Sequence, residues 1–313
     1  MSTLLEVLAD GQPHSFEELT ALLNLSKIDL LDQLETLQFQ GLHFHSSLND
    51  VQLIPQLDLL DQRRLSEALK PSNVIIKPII DSTNQYIIEH LDELKKGDLC
   101  LSEHQTAGRG RRGRQWLSPF AGQLIMSFYW TFDPRKSLDG LSLVIGMAIA
   151  DALKSAGANT INLKWPNDLY LSGRKLAGIL IEIANRKNGL LNVIVGIGIN
   201  LSLPKQEHLI DQPWAELCES LPHLDRNQLV IQVVNKLYQY LNQFERHGID
   251  ETFRKKWSEM DFAINELVNI ITDKQIIVGV NQGIDERGYI VIKTESGEIM
   301  KFNGGEVSLR KGR

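Results

Sequence analysis

The residues best suited to chemistry lie in a short basic segment, residues 108–114, which holds four arginines and three glycines in a chain of net charge -6. Guanidinium groups match phosphate and carboxylate oxygens two at a time. Glycines let the backbone take positive φ and bring its N–H groups close to a ligand. We therefore predict that this segment, called the arginine loop below, binds an anion such as a nucleotide phosphate.

Other interpretations of the arginine loop make different predictions. Its glycine spacing fits G-x-G-x-x-G, which indicates a dinucleotide-binding turn when the motif follows a strand and opens a helix. The residues after it contain Pro119 and have no helical period, so no helix begins here. No Gly-Lys-Ser/Thr follows either, which excludes a Walker loop. A solvated basic loop without a ligand is the remaining alternative.

A second group of candidate residues follows at 164–178. If Ser172 and Gly173 form the two-residue turn of a hairpin, Leu171 faces Arg174, Tyr170 faces Lys175 and Asp168 faces Ala177. Side chains alternate along strands, so Asp168 and Lys175 are expected on one face. A surface salt bridge is the plain alternative. Beside an anion-binding loop, the pair indicates a site for phosphoryl or acyl chemistry.

Size and composition limit the possible classes of protein. A chain of 313 residues accommodates two domains, or three if one is small. Cys100 and Cys218 are far apart and have no metal-ligand spacing, so neither a disulfide framework nor a zinc site is indicated. Residues 1–11 contain no Lys or Arg, unlike a signal peptide. The longest apolar run, residues 143–150, is far below the ~20 residues that span a bilayer. We expect a cytoplasmic protein.

The N-terminal residues predict helices followed by short strands. Capping boxes begin at Ser15 and Ser26, the first helix placing Leu19 and Leu22 inward. The second is expected to bury one stripe, which consists of Ile28, Leu31, Leu34 and Leu37. Alternating segments at 42–45 and 51–54 complete a pattern typical of a winged helix-turn-helix.

The charge of this region argues against DNA binding. Residues 1–62 contain one basic residue, Lys27, and ten acidic ones, a net charge of -9. The helix that would read DNA carries Asp29, Asp32 and Glu35. DNA affinity depends on neutralising phosphates with Lys and Arg. A structural or vestigial role is therefore favoured over operator binding.

The whole chain is predicted to be an α/β multidomain protein. We expect an acidic winged helix-turn-helix at residues 1–62 and a catalytic α+β domain at 63–265, with a mixed, largely antiparallel sheet. Short β runs at 267–271, 276–280, 289–293 and 299–302, separated by Gly and Asp turns, predict an SH3-like barrel at residues 266–313.

Five motifs occur in the order found in biotin–protein ligases, and the chain resembles that family along nearly its whole length. The motifs are STNQ at 82–85, QTAGRGRRGR at 105–114, KWPND at 164–168, RKLAGIL at 174–180 and GIGIN at 196–200. The domain order is similar to that of the bifunctional ligase–repressors of bacteria. Basic residues expected of the DNA-reading helix and wing are missing.

The resemblance implies a two-step reaction. Biotin's carboxylate attacks the α-phosphate of MgATP to give biotinyl-5′-AMP and pyrophosphate, and a lysine of a biotin carboxyl carrier protein then attacks the mixed anhydride. No enzyme nucleophile is needed. The implied cofactors are ATP and Mg²⁺, and the implied partners are biotin, the carrier protein of acetyl-CoA carboxylase and a second copy of the chain in a liganded homodimer. Operator DNA would be a further partner of a repressor.

The resemblance also implies site residues. Biotin would be bound by Ser82, Thr83, Asn84, Gln105, Arg109, Gly110, Arg111, Lys175 and Gly178. The nucleotide would be bound by Arg111, Arg112, Arg114, Trp116, Asn167, Lys175, Asn200 and Arg310. The implied catalytic residues are Lys175, Arg111 and Asp168, of which Asp168 would position either Mg²⁺ or the incoming lysine.

Two other functions remain open at this point. A lipoate–protein ligase shares the catalytic fold and the acyl-adenylate chemistry, although the arginine loop resembles the biotin branch. A ligand-responsive repressor without ligase activity would bind DNA and would not need Lys175.

Overall fold

The computed structural model describes residues 3–187, 189–203, 213–272, 274–305 and 307–311, so the outermost residues of the first and last expected domains lie outside it. The described residues form three β-sheets, one after another along the chain. None of the helices in these ranges is long and apolar enough to cross a membrane.

The N-terminal unit combines three helices with a small sheet. The helices are α1 (Leu4–Leu8), α2 (Phe16–Leu23) and α3 (Lys27–Phe39), and the strands are β1 (His14–Ser15), β2 (His43–Ser46) and β3 (Asp50–Ile54). The strand order is β1-β3-β2. Ser15 and Ser26 cap α2 and α3, since their hydroxyl oxygens accept hydrogen bonds from the backbone N–H groups of Glu18 and Asp29.

Two of the four residues expected in the inward stripe of α3, Leu34 and Leu37, are buried, and the other two are not. Ile28 and Leu31 are exposed, and the buried residues of α3 are Leu30, Leu34 and Leu37. Each step of three residues rotates a side chain by about 60° around the helix. The four residues of the expected stripe are spaced by three, so they spread over half the circumference of the helix. Residues 30, 34 and 37 stay within one face. Leu22 of α2, also expected inward, is exposed as well.

The central unit is built on a seven-stranded sheet of order β4-β5-β6-β10-β9-β8-β7. Strands β4 and β5 run parallel, and the other neighbours are antiparallel. The strands are β4 (Val74–Ile80), β5 (Leu99–Gln105), β6 (Gln123–Phe132), β7 (Ile161–Lys164), β8 (Asp168–Leu171), β9 (Arg174–Lys187) and β10 (Leu190–Asn200). The predicted mixed, largely antiparallel sheet is confirmed.

Five helices accompany this sheet: α4 (Gln62–Ala68), α5 (Thr83–Glu89), α6 (Leu141–Ser155), α7 (Arg226–His247) and α8 (Glu251–Ser258). Helices α6 and α7 supply much of the main hydrophobic core, which is why α6 is apolar on nearly all sides. Helix α5 contacts β5, β6 and β10, where Ile87 packs with Cys100, Tyr129 and Ile194. The N-terminus of α5 is thereby held beside the middle of the sheet.

The C-terminal unit is a five-stranded antiparallel sheet of order β14-β13-β12-β11-β15. Its strands are β11 (Leu267–Ile271), β12 (Ile276–Ile284), β13 (Ile290–Thr294), β14 (Ile299–Phe302) and β15 (Ser308–Lys311). Four of them match the predicted β runs. The fifth, β15, was not predicted, because its four residues include Arg310 and Lys311 and show little apolar pattern.

A buried ion pair anchors the segment that leads from the N-terminal unit into the central sheet. Arg226 Nη2 lies 2.7 Å from Glu103 Oε2, and the two side chains are only 6% and 3% exposed. Glu103 also accepts a hydrogen bond from the backbone N–H of Leu60 at 2.6 Å, and Arg226 donates to the backbone oxygens of Asp58 and Gln123. One ion pair thus joins residues 58–60 to β5, β6 and α7.

We predict that Arg226→Met lowers the free energy of unfolding by about 3–5 kcal/mol, since it leaves the Glu103 carboxylate buried without its cation. Urea unfolding of the variant and wild type measures the difference. Arg63→Met is the matched control, because the Arg63–Glu67 pair is largely exposed. A loss for Arg226→Met no larger than that of the control would contradict the prediction.

Candidate functional site

The arginine loop is a tight hairpin in the structure. Its ends are joined by a hydrogen bond from the Trp116 N–H to the Gly108 oxygen at 2.9 Å, and its tip by one from the Gly110 N–H to the Arg114 oxygen at 2.7 Å. A Cβ on Gly108 would lie 2.4 Å from the Trp116 oxygen, and Gly113 has a φ of +72°. Gly108 is therefore required by the close approach of the two arms, and Gly113 is favoured by the turn.

The arginines of this loop contact different parts of the molecule. Arg109 pairs with Glu182 of β9 at 2.9 Å. Arg111 donates to Asn167 Oδ1 at 2.7 Å and to the backbone oxygen of Gly304 in the C-terminal unit. Arg112 donates to Ser308 of β15 at 3.3 Å. Burial lowers the pKa of Arg111, and the nearby carboxylate of Asp168 opposes that effect.

A first cavity, of about 70 Å³, lies between α5, the arginine loop and the sheet. Every residue that the resemblance assigned to biotin lines it: Ser82, Thr83, Asn84, Gln105, Arg109, Gly110, Arg111, Lys175 and Gly178. Ser82 caps α5, so the polar residues of the first helical turn face the cavity. We call this space the narrow cavity.

The polar end of the narrow cavity is a connected hydrogen-bond network. The Thr83 N–H donates to Gln105 Oε1 at 2.9 Å, and Ser127 Oγ lies 2.7 Å from Thr83 Oγ1. Asn84 donates from Nδ2 to Glu182 Oε2 at 2.7 Å, and the Ser127 hydroxyl donates toward its amide oxygen. Each of these side chains is held in one orientation by its neighbours.

Sequence reasoning missed Ser127 and Glu182 as parts of this network. Glu182 accepts from Asn84 and from Arg109 and so joins the helix end to the arginine loop. The signal was present, since Glu182 lies four residues after Gly178 on the same strand and therefore on the same face. Ser127 lies in the middle of an apolar strand, where a serine also satisfies a purely structural role.

Glycines in β9 and β10 make room for two of the site's side chains. A Cβ on Gly198 would lie 2.5 Å from Trp116 Cζ2, and one on Gly178 would lie 3.0 Å from Trp116 Cζ3. A Cβ on Gly196 would lie 2.6 Å from Asn84 Oδ1. The Trp116 ring and the Asn84 amide therefore rest directly on the strand backbones, which only glycine permits.

Trp116 and Asn200, both assigned to the nucleotide, are joined through Gln123. Trp116 Nε1 donates to Gln123 Oε1 at 3.1 Å, and Gln123 Nε2 donates to Asn200 Oδ1 at 2.9 Å. Asn200 Nδ2 in turn donates to the Ala215 oxygen at 3.2 Å. The Asn200 amide is thus already engaged by the protein, and it fixes the wall of the cavity through this chain.

A second cavity, which we call the wide cavity, adjoins the first and is strongly basic. All residues assigned to the nucleotide line it: Arg111, Arg112, Arg114, Trp116, Asn167, Lys175, Asn200 and Arg310. Lys164 and Trp214, which were not predicted, line it too. Burial lowers the pKa of Lys164, whose Nζ donates to the Tyr170 hydroxyl at 2.9 Å. Burial raises the pKa of Tyr170 to about 12, so it stays protonated.

The two cavities meet at a set of residues that line both, namely Gly110, Arg111, Trp116, Asn167 and Lys175. Lys175 Nζ lies 2.8 Å from Asp168 Oδ1, and these side chains are 17% and 18% exposed. The ion pair is therefore mostly shielded from solvent, unlike the surface salt bridge of the plain alternative. Two anions, one bound in each cavity, would approach each other at Lys175 and Arg111.

The hairpin that carries this ion pair differs from the expected register at one point. Leu171 faces Arg174 and Tyr170 faces Lys175, as predicted, but Asp168 faces Gly178 and not Ala177. The register shifts between Leu169 and Tyr170, so β9 contains a bulge. Ala177 is consequently buried in the core, and Gly178 faces the cavity.

Comparisons with known proteins agree with this geometry. The profile of the Biotin/lipoate A/B protein ligase family matches residues 76–200, and that of the Biotin protein ligase C terminal domain matches residues 263–310. The chain is 39% identical over 312 residues to the bifunctional ligase/repressor BirA of Salmonella typhimurium, covering 98% of this chain and 97% of that protein. It is 37% identical to that of Escherichia coli, covering 98% and 96%.

A solved structure is similar over most of the chain. The biotin protein ligase from Aquifex aeolicus in complex with biotin and ATP superimposes with a TM-score of 0.68 at 31% identity, covering 77% of this chain and 99% of that chain.

We predict that Gly198→Ala displaces the Trp116 ring, because the new Cβ would stand 2.5 Å from it. The chain has five tryptophans, so 5-fluorotryptophan labelling should give five ¹⁹F NMR signals, and Trp116→Phe identifies the one that belongs to Trp116. That signal should shift in Gly198→Ala. In the control Gly305→Ala, whose Cβ would meet nothing closer than 3.8 Å, all five should stay in place. An unmoved Trp116 signal in Gly198→Ala would show that the ring does not need the glycine.

Proposed function

The chain belongs to the biotin/lipoate A/B protein ligase family, and we propose that its two adjoining cavities together form the site of both steps of protein biotinylation. The enzyme is a biotin–protein ligase that uses biotin and ATP. The observation that carries the proposal is the junction of the cavities, where Lys175 and Arg111 line both. A reaction between a carboxylate and a phosphate needs such a junction, because the two reactants repel each other.

In the proposed arrangement, biotin lies in the narrow cavity. Its ureido group would exchange hydrogen bonds with Ser82, Thr83, Asn84 and Gln105, whose network already has a fixed orientation. Its carboxylate would point toward Lys175. Arg109, tied to Glu182, would close the cavity from the loop side, with the backbone of Gly110 beside it.

ATP would occupy the wide cavity, with its base beside Trp116 and its α-phosphate at the junction. Arg112, Arg114 and Arg310 line the same cavity and would meet the remaining phosphates, together with Lys164. Two unit charges about 4 Å apart repel by about 4 kcal/mol at an effective dielectric constant of 20. Lys175 and Arg111 would offset this repulsion and stabilise the charge that develops on the α-phosphate.

In the first step, a carboxylate oxygen of biotin forms a bond to the α-phosphorus, the bond to the bridging oxygen breaks, and pyrophosphate leaves. In the second step, the amine of an acceptor lysine attacks the acyl carbon, and AMP leaves with the electrons of the broken C–O bond. Both displacements use substrate groups as nucleophiles. The protein's contribution is orientation and positive charge.

A magnesium ion fits this donor set through the nucleotide. The described residues contain no group of three His, Cys, Asp or Glu side chains that could hold a metal by themselves. Mg²⁺ is commonly bound by one or two carboxylates together with substrate phosphates. Asp168 is the carboxylate among the described residues of the wide cavity, and it would hold the ion or, with Asn167, position the acceptor lysine. The bound ion would neutralise phosphate charge.

The remaining units suggest further partners. We infer that the N-terminal unit is a winged helix-turn-helix, that the acceptor is a biotin carboxyl carrier protein, and that the liganded enzyme forms a homodimer. Relatives described as bifunctional ligase/repressors align over 98% of the chain, which supports the first inference. The C-terminal antiparallel sheet is proposed to be an SH3-like barrel that supplies Arg310 to the nucleotide.

A substrate trial with biotin and lipoate tests the proposed function. With MgATP and an acceptor carrier domain, biotin should be transferred and lipoate should not. Transfer of lipoate without transfer of biotin would overturn the assignment.

We predict that Lys175→Met slows adenylate formation by about 100-fold or more, the range found when one transition-state charge contact is removed. Biotin should still bind, because the ureido network does not include Lys175. Pyrophosphate release measures the first effect, and calorimetric titration with biotin measures the second. The control is Lys154→Met, at an exposed position of α6. A wild-type rate in Lys175→Met would exclude the role.

We also predict that Arg111→Gly releases the adenylate from the site, since the loop then loses its contacts with Asn167 and Gly304. The free mixed anhydride should biotinylate lysines of a bystander protein such as albumin, which a streptavidin blot detects. Unchanged selectivity for the carrier would show that another contact retains the intermediate.

A further inference from the structure

The outward side of α3 carries an exposed surface that the catalytic reaction does not use. Ile28, Leu31, Asp32, Glu35 and Phe39 are all exposed. At about 100° per residue they fall within one arc of about 100°, opposite the buried residues Leu30, Leu34 and Leu37. We call these five residues the α3 outer face.

The apolar members of this face are unusually open to solvent. Ile28 is 72% exposed, Leu31 is 45% exposed and Phe39 is 93% exposed. They line up along about 16 Å of helix, taking 1.5 Å per residue. Isolated exposed apolar residues are common, but an aligned set with an aromatic residue at its end is typical of a contact surface.

The polar members of the face are acidic. Asp32 and Glu35 stand between the apolar residues, and neither appears in an ion pair within the described part of the chain. Lys27 is the single basic residue in residues 1–62, and its ammonium lies 5.8 Å from the centre of the Phe16 ring, so it is engaged elsewhere. The face is therefore apolar and negatively charged.

These properties argue against two obvious occupants. Duplex DNA attracts Lys and Arg to its phosphates, and the α3 outer face offers none. A second copy of the same face would bring together two units that each carry a charge of -9. Both encounters are opposed by like charge. Phosphates also offer no apolar surface against which Ile28 and Phe39 could be buried.

We propose that the α3 outer face binds a basic, amphipathic helix of a partner protein. The apolar stripe of such a helix would cover Ile28, Leu31 and Phe39, in the way that amphipathic helices are recognised by anchors at helical spacing. Its Lys or Arg side chains would pair with Asp32 and Glu35. The helix position that reads DNA in a winged helix-turn-helix thus serves a protein contact in this chain.

Binding of a synthetic probe tests this surface chemistry on the full-length protein. The probe is a fluorescent peptide of about 18 residues, long enough to cover α3, with Leu on one helical face and Lys on the other. One comparison peptide has Gln in place of every Lys. Another has the same composition in scrambled order, so that it is basic but not amphipathic. The first peptide should bind most tightly, and its affinity should fall as salt is raised.

Variants locate the binding site. Phe39→Ser and the double variant Asp32→Asn/Glu35→Gln should each weaken peptide binding by about 10-fold, since Phe39 is the largest exposed apolar side chain of the face and Asp32 and Glu35 supply its negative charge. Leu48→Ser and Asp50→Asn are matched controls in the same unit, because both residues are exposed and lie off α3. All variants should keep wild-type biotinylation rates, which shows that the catalytic unit is folded, and the wild-type far-ultraviolet circular dichroism spectrum, which shows that the N-terminal helices are retained.

Three results would overturn the proposal. One is peptide binding that stays unchanged in Phe39→Ser and in the double acidic variant. Another is tight binding of duplex DNA from upstream of biotin-synthesis genes, in the presence of biotin and MgATP, that the α3 variants abolish. The third is self-association in sedimentation experiments that Phe39→Ser removes. Loss of biotin transfer in the wild type would instead bear on the ligase assignment and leave this test intact.

Discussion

The missing side chains of three glycines are the constraint on which the site depends. Because Gly178, Gly196 and Gly198 have no Cβ, the Trp116 ring and the Asn84 amide lie directly on β9 and β10. Trp116 follows the arginine loop, and Asn84 lies in the first turn of α5, so these contacts determine how closely the loop and the helix approach the sheet. Both cavities are the space left between them. A larger residue at any of the three positions would move a wall of the site before it touched a substrate.

Charge is arranged around that framework in a graded way. Polar, mostly uncharged groups surround the narrow cavity at its α5 end, while Arg112, Arg114, Lys164 and Arg310 surround the wide one. Lys175 stands between them with Asp168 as its partner. The neutral ring system of biotin would therefore lie among uncharged polar groups, and the polyphosphate of ATP would lie among cations. The arginine loop can hold this arrangement because Arg109 and Arg111 reach different units of the protein.

Much of the fold and of the candidate site was predictable from the sequence, and the features that were not predicted have physical causes. The family resemblance implied many of the residues that line the two cavities, and helical caps and β runs identified most elements. The bulge in β9 was not predictable, since residues 176–181 are apolar or glycine throughout and show no alternation that an extra residue would interrupt. Trp214 was missed because it lies beside Lys175 in the fold but far from it in sequence. Glu182 was missed although its spacing from Gly178 placed it on the cavity face. The exposed stripe of α3 was misassigned because Ile28 and Leu31 are apolar, and only packing shows that Leu30 takes the buried place.

The separation of charge along the chain gives the molecule an electric dipole. The whole chain carries -6 and residues 1–62 carry -9, so the residues from 63 onward carry +3. In the field of a polyanion such a molecule experiences a torque that turns its N-terminal unit away and its catalytic unit inward. Nonspecific encounters with nucleic acid would therefore occur at the wrong end for a helix-turn-helix. Anionic substrates, in contrast, are drawn toward the half that holds the cavities.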